Sequence, residues 1–167
     1  MDDASRKRLE DTTRYDPSEV EQRVFGTWEE GGYFTPEPEG TPEENYPIAI
    51  PLPNVTGSLH MGHGLNNTIQ DLLIRRARMQ GRRAKWIIGT DHAGIATQAM
   101  VEKELRSQGI DRRELGREKF VERVWEWRTE YGGRIIEQLK RLGASGDFAN
   151  ERFTLDGLDG PATTRAA

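Results

Sequence analysis

All three histidines of the chain fall within two short motifs. One is Leu59-His60-Met61-Gly62-His63-Gly64 and the other is Gly89-Thr90-Asp91-His92-Ala93-Gly94. Two imidazoles spaced around a glycine where a helix begins make a seat for polyphosphate. The free N–H groups and the dipole of the helix favour anions there, and the rings add donors. Gly62 lets a flat base or a phosphate approach the backbone, because no Cβ stands in the way. In the second motif Asp91 offers a carboxylate that can pair with an ammonium group at short range. Its other natural role, compatible with the first, is to cap a helix starting near Ala93. Asn54 adds a carbonyl acceptor for the same ammonium. Pro51 and Pro53 remove backbone donors on the approach and leave carbonyls free to face a pocket.

Other readings of these residues compete. His60, His63, Asp91 and His92 can be imagined as zinc ligands, but histidine ligands three apart ordinarily sit within one helix. Here they straddle a strand-to-helix turn, so no metal site is expected. Plain capping or core histidines are a further reading, which the joint placement of both motifs at strand ends weakens. The common glycine-rich signatures are missing. No Gly-x-x-x-x-Gly-Lys-Ser/Thr run occurs, and Gly62-His63-Gly64 lacks the third glycine of a dinucleotide fingerprint.

Periodicity predicts the elements that hold these groups. Asp16 and Pro17 open a helix with the stripe Val20, Val24 and Trp28, which Gly31-Gly32 ends. Residues 35–45 read as a loop, and Tyr46 to Leu52 as a buried strand. From about Gly62 to Met79, Leu65, Ile69, Leu72 and Leu73 recur at helical spacing, with Asn66, Asn67, Gln70 and Asp71 on the other face. This predicts a helix that packs by its leucines. Ala84 to Ile88 then forms a second strand, completing a parallel, right-handed βαβ unit. The carboxyl ends of parallel strands line one crevice, so both motifs should face it. Further helices are expected over Ile95–Ser107, briefly after Asp111, and over Arg117–Leu142. The last carries the stripe Phe120, Val124, Trp127, Tyr131, Ile135, Leu139 and Leu142, read as core packing, with a candidate kink at Gly132-Gly133.

Composition sets outer bounds. The 167 residues suit one domain, with 34% hydrophobic and 31% charged residues, polar for a self-sufficient globule. Net charge is −4, so no global polycation argues for nucleic acid. Arg75, Arg76, Arg78, Arg82, Arg83 and Lys85 do cluster, either as a solvated face or as a contact to a phosphate backbone. The absence of cysteine excludes disulfides and fits a reducing compartment. No apolar stretch approaches a membrane span and no signal-peptide core is present, so a cytoplasmic protein without membrane partners is expected. The expected organisation is a frayed segment 1–16, a folded unit 17–156 and a disordered tail 157–167.

Pro53-Asn54-Val55-Thr56-Gly57-Ser58-Leu59-His60-Met61-Gly62-His63 resembles the His-x-Gly-His signature of class I aminoacyl-tRNA synthetases, in the valine-specific form. Gly89-Thr90-Asp91-His92-Ala93-Gly94-Ile95-Ala96-Thr97-Gln98 is similar to the second signature of that group. Leu115 to Phe120 and Gln138 to Ser145 match as well, and the likeness runs from about Tyr15 to Asp156. Leu52 stands where proline is usual, and Phe148 where tryptophan is usual.

The resemblance implies an α/β fold, the first half of a Rossmann-like nucleotide-binding domain, and two-step activation and transfer of valine to tRNA(Val). It implies that His60 and His63 contact ATP phosphates as catalytic groups, and that Gly62 lies under the adenine. Asn54 and Asp91, with Pro51 and Pro53, would hold the valine ammonium. ATP with Mg2+ enters as substrate, and no prosthetic group is implied. The second half of such a fold, with its Lys-Met-Ser-Lys-Ser-type loop, does not occur in this sequence. The expectation is therefore an N-terminal catalytic fragment, incomplete alone. The rival is a non-catalytic truncated paralogue that binds ATP, tRNA or a partner synthetase. A small nucleotidylyltransferase shares the first motif, but the second argues against it.

Overall fold

A computed structural model of the chain describes residues 2–4, 7, 15–37 and 39–156. The expected frayed N-terminus lies largely outside the described residues, and the expected disordered tail lies wholly outside them. Three parallel strands form one sheet in the order β1-β2-β3: β1 is Asn45–Ala49, β2 is Arg83–Thr90 and β3 is Asp147–Phe153. Helix α1 (Pro17–Glu30) precedes β1, and α2 (Met61–Met79) crosses from β1 to β2. Between β2 and β3 run α3 (Gly94–Ser107), the short α4 (Arg112–Leu115) and the long α5 (Arg117–Arg141). Asp16 caps α1 as its sequence suggests, accepting from the Ser18 N–H at 2.9 Å, with Pro17 in the first turn.

The core has two parts joined by α5. Ile135 and Leu139 pack with Ile50, Ile74, Trp86 and Ile88 under the sheet. Phe120 and Trp127 pack with Val101 and Leu105 of α3. The predicted stripe on α5 is thus buried along most of its length, and the helix runs unbroken through Gly132-Gly133. Leu142 is the exception: it is the C-cap of α5 and is exposed.

Two expectations are corrected. β1 ends at Ala49, not Leu52, and is a half-exposed edge strand rather than a buried one. The Ile50 N–H still bonds to the Ile87 carbonyl (3.0 Å), but the prolines that follow have no N–H to continue the ladder. The second correction concerns α2, which faces the opposite way from its apolar pattern. Leu65, Ile69, Leu72 and Leu73 are exposed, whereas Asn67, Ile74 and Ala77 are buried. Two of the inward polar side chains, Gln70 and Asp71, have partners, whereas the Asn67 amide Nδ2 is buried without one. Gln70 Oε1 accepts from the Trp86 indole N–H at 3.0 Å, and Asp71 Oδ1 accepts from the Ser145 N–H at 2.9 Å. A buried polar group that is bonded costs little, so these pairs fix the helix orientation against its hydrophobic pattern.

The basic cluster is largely committed to the protein itself. The Arg75, Arg78 and Arg82 guanidiniums lie over Trp28, Phe34 and Tyr46 at 5.2, 5.2 and 4.8 Å. The same groups donate to the Gly143 carbonyl (2.6 Å), the Ser145 carbonyl (2.8 Å) and the Asn45 carbonyl (2.6 Å). Lys85 pairs with buried Asp147 at 2.8 Å. These contacts fasten α2 to α1 and to the turn that enters β3.

Gly89 explains itself by contact. A Cβ there would lie 2.2 Å from the Arg152 carbonyl oxygen of β3 and 2.9 Å from Leu52 Cδ2. The bare backbone lets β3 close on β2 immediately before Asp91. Gly89→Ala is expected to cost about 2 kcal/mol or more in urea unfolding, because backbone rather than a flexible side chain must move. A loss under about 0.5 kcal/mol would mean that the strands do not meet at this point.

Candidate functional site

The site begins where β1 and β2 run out. The Asp91 N–H bonds to the Pro53 carbonyl at 2.8 Å, and the Val55 N–H bonds to the Asp91 carbonyl at 3.0 Å. Asn54 and Asp91 thereby form an isolated parallel bridge beyond the regular strands. Pro53, lacking an N–H, can still accept through its carbonyl. Two elements then hold the loop that leads into α2. Trp127 of α5 donates its indole N–H to the Val55 carbonyl at 2.7 Å, and Gln138 Oε1 accepts from the Leu59 N–H at 2.9 Å. Neither residue was singled out for the site in the sequence. Their signal was faint: one member of an apolar stripe and one polar neighbour of Leu139.

At the N-terminus of α2 the two histidines cap the helix reciprocally. His60 Nδ1 accepts from the Gly62 N–H at 3.1 Å, and His63 Nδ1 accepts from the His60 N–H at 3.2 Å. Their rings lie 3.9 Å apart between centroids, inclined by 38°. A Cβ at Gly62 would come within 2.9 Å of His60 Cε1, so a side chain there would displace the His60 ring from its capping position. With both Nδ1 atoms accepting, each neutral ring carries its proton on Nε2 and presents a donor outward. Burial, and next the neighbouring His60, hold His63 below the ordinary imidazole value of 6.5.

Asp91 and His92 sit together at the end of β2, and Thr154, just past β3, joins them. The Thr154 hydroxyl donates to Asp91 Oδ1 at 2.8 Å, and Thr154 Oγ1 accepts from the His92 N–H at 2.9 Å. Burial pushes the Asp91 carboxyl upward. The bonds from Thr154 and the Ala93 N–H, with His92 beside it, outweigh that effect, so the group stays below the usual carboxylate range. Asp91 supplies no side-chain cap to α3. That helix starts behind Ala93, which adopts a left-handed φ of 46°. Nothing in the sequence ties Thr154 to a residue 63 positions earlier.

Pro51, Pro53, Asn54, His60, Gly62 and His63 line one cleft of about 650 Å³. Thr56, Gly57, Ser58 and Leu59 of the signature complete its wall, together with Leu52, Asn66, Asn67 and Ile135. Two signature residues lie off that wall: Val55 is buried beneath it at 1% exposure, and Met61 is 88% exposed. Asp91 also lies off the wall. It adjoins the cleft through its backbone bonds to Pro53 and Val55. Among the described residues no group of three or more histidine, aspartate or glutamate side chains is arranged to hold a metal ion.

A parallel sheet with a helix N-terminus and a carboxylate at adjoining strand ends defines a Rossmann-like half of an α/β fold. The family model for class I tRNA synthetases (I, L, M and V) matches residues 23–165, and the chain belongs to that family. The valine–tRNA ligase of Geobacter sulfurreducens is 59% identical over 143 residues, covering 85% of this chain and 16% of that protein. The Acinetobacter baylyi valine–tRNA ligase is 54% identical over 144 residues, covering 86% of this chain and 14% of the relative. A solved ternary complex of the leucyl enzyme of Agrobacterium radiobacter K84 (LeuRS-tRNA-LeuAMS) shares the fold. Its TM-score is 0.67 at 20% identity, over 84% of this chain and 16% of that one.

The histidine cap carries a pH dependence. The folded chain resists protonation of His63, whereas the unfolded chain takes up that proton at about pH 6.5. The stability this group contributes is complete above that pH and falls as acid titrates the folded form. His63→Gln keeps a side-chain acceptor at the same capping position without a titrating ring. Urea melts should therefore show the unaltered chain losing more stability than H63Q on acidification below about pH 6.5. Parallel pH profiles would contradict the assignment.

Proposed function

We propose that residues 17–156 form the ATP- and valine-binding half of the catalytic domain of a cytoplasmic valine–tRNA ligase. The observation that carries the reading is the backbone pairing of Pro53–Val55 with Asp91, which sets the histidine cap beside the carboxylate. Identities of 54–59% to valine–tRNA ligases supply the amino acid. The chain spans 14–16% of the length of those relatives. Among the described residues no helix is long and apolar enough to cross a membrane.

In this reading the Nε2–H groups of His60 and His63 donate to phosphate oxygens of Mg-ATP, and the Gly62 backbone lies against the adenine. Asp91, the Asn54 carbonyl and the main chain around Pro51 and Pro53 receive the ammonium of valine. A carboxylate oxygen of valine attacks the α-phosphorus, a new P–O bond forms, and the bond to pyrophosphate breaks. Donors fixed in advance stabilise the charge that develops at phosphorus. The valyl group then passes from the adenylate to the terminal ribose of tRNA(Val). Pocket size separates valine from isoleucine, by about 1–3 kcal/mol for one methylene.

Isothermal titration of the 167-residue chain with Mg-ATP tests the reading directly. We expect ATP to bind, and His63→Ala to weaken it roughly tenfold through loss of a phosphate donor. Valine should bind more tightly than isoleucine by roughly tenfold or more. Valine-dependent ATP–pyrophosphate exchange by the chain alone should run far below that of a full-length valine–tRNA ligase. Failure of ATP to bind would remove the reading. Exchange at the full-length rate would show that no lysine-rich loop is needed to release pyrophosphate.

A further inference from the structure

Thr154 makes three contacts with one hydroxyl. It lies 2.8 Å from Asp91 Oδ1, 2.9 Å from the His92 backbone nitrogen and 2.6 Å from His92 Nδ1. A hydroxyl has one proton and two lone pairs. Asp91 is ionised and can only accept, so the threonine proton goes to Oδ1. The backbone N–H of His92 occupies one lone pair, leaving only the second for the ring. His92 Nδ1, which lies 2.6 Å from Thr154 Oγ1 and 3.2 Å from Asp91 Oδ1, faces two acceptors and must therefore carry a proton, and the neutral ring keeps its lone pair on Nε2. That atom lies over Gly94, 3.7 Å from where a Cβ would stand, so no side chain of residue 94 crowds it. The Phe153 ring meets the imidazole nearly perpendicularly (84°), with 6.5 Å between centroids.

We propose that Thr154 is a positioning residue of this site: it orients the Asp91 carboxylate and locks His92 as the Nδ1–H tautomer. His92 Nε2 is then a second acceptor beside the carboxylate, available to a ligand's ammonium group. The ligand assignment rests on the valine reading above; the tautomer lock rests on geometry alone. The arrangement is the reverse of the α2 cap, where His60 and His63 use Nδ1 as acceptor and turn Nε2–H outward. Histidines of opposite tautomer would thus serve opposite charges, donors for phosphate at one end and an acceptor for ammonium at the other.

Long-range proton–nitrogen correlation spectra of the 15N-labelled full chain at neutral pH read the tautomers directly. The variants His60→Gln and His63→Gln assign the three rings. The expected spectrum has Nδ1 protonated on His92 and Nε2 protonated on His60 and His63. Thr154→Val, which keeps the shape and removes the hydroxyl, takes away the shorter of the two Nδ1 contacts and leaves only Asp91 Oδ1 at 3.2 Å, so the Nε2–H share of His92 should rise. Thr154→Ser should keep the Nδ1–H form. An Nε2–H pattern on His92 in the unaltered chain overturns the proposal, as does an unchanged pattern in a folded T154V. If T154V does not fold, the unaltered chain and T154S still decide. In a parallel titration T154V should bind valine roughly tenfold more weakly and T154S near the unaltered value. The expected tautomers with no valine binding by any variant would overturn the ammonium assignment and leave the Thr154 lock standing.

Discussion

Everything at the site depends on two backbone hydrogen bonds, from Asp91 N–H to the Pro53 carbonyl and from Val55 N–H to the Asp91 carbonyl. They extend the pairing of β1 with β2 past the ends of both strands, across a stretch where proline has removed other donors. They bring the two histidine motifs to adjoining strand ends. Trp127 fastens Val55 from below, and Gly89 lets β3 close against β2 at the same level. The carboxylate and the helix cap are therefore positioned by main chain, which has few ways to relax.

Hydrogen bonding then sets the chemistry of the imidazoles. At the start of α2 the rings take over the work of a capping serine or glutamate, satisfying N–H groups that a helix otherwise leaves bare. That use of Nδ1 commits each ring to present a donor on its far side. The same cap places both rings over the positive end of the helix dipole, which adds to burial in keeping His63 neutral. A neutral donor suits phosphate at physiological pH, because it needs no proton uptake before the ligand arrives.

Much of this was legible in the sequence. Asp16-Pro17 marked the start of α1 to the residue, and the αβ order around the histidine motifs followed from punctuation by glycine and proline. The orientation of α2 was not legible. A period of 3.6 says which residues share a face, but not which face turns inward when its polar members have partners elsewhere. Gln70 and Asp71 meet Trp86 and Ser145, which lie 16 and 74 positions away. The arginine cluster misled for the same reason: its partners are aromatic rings on α1, in the loop after it and on β1, contacts that charge counting does not register. Thr154 was invisible altogether, because its role exists only once β3 lies beside β2.

Amide hydrogen exchange, followed residue by residue, is the most direct measurement of the pairing that joins the two motifs. The Val55 and Asp91 amides should both be strongly protected and share one opening free energy, since each closes the same bridge. Adding Mg-ATP and valine should slow both together. A Val55 amide exchanging at the rate of an unstructured peptide, or ligand protection confined to one of the pair, would contradict the account.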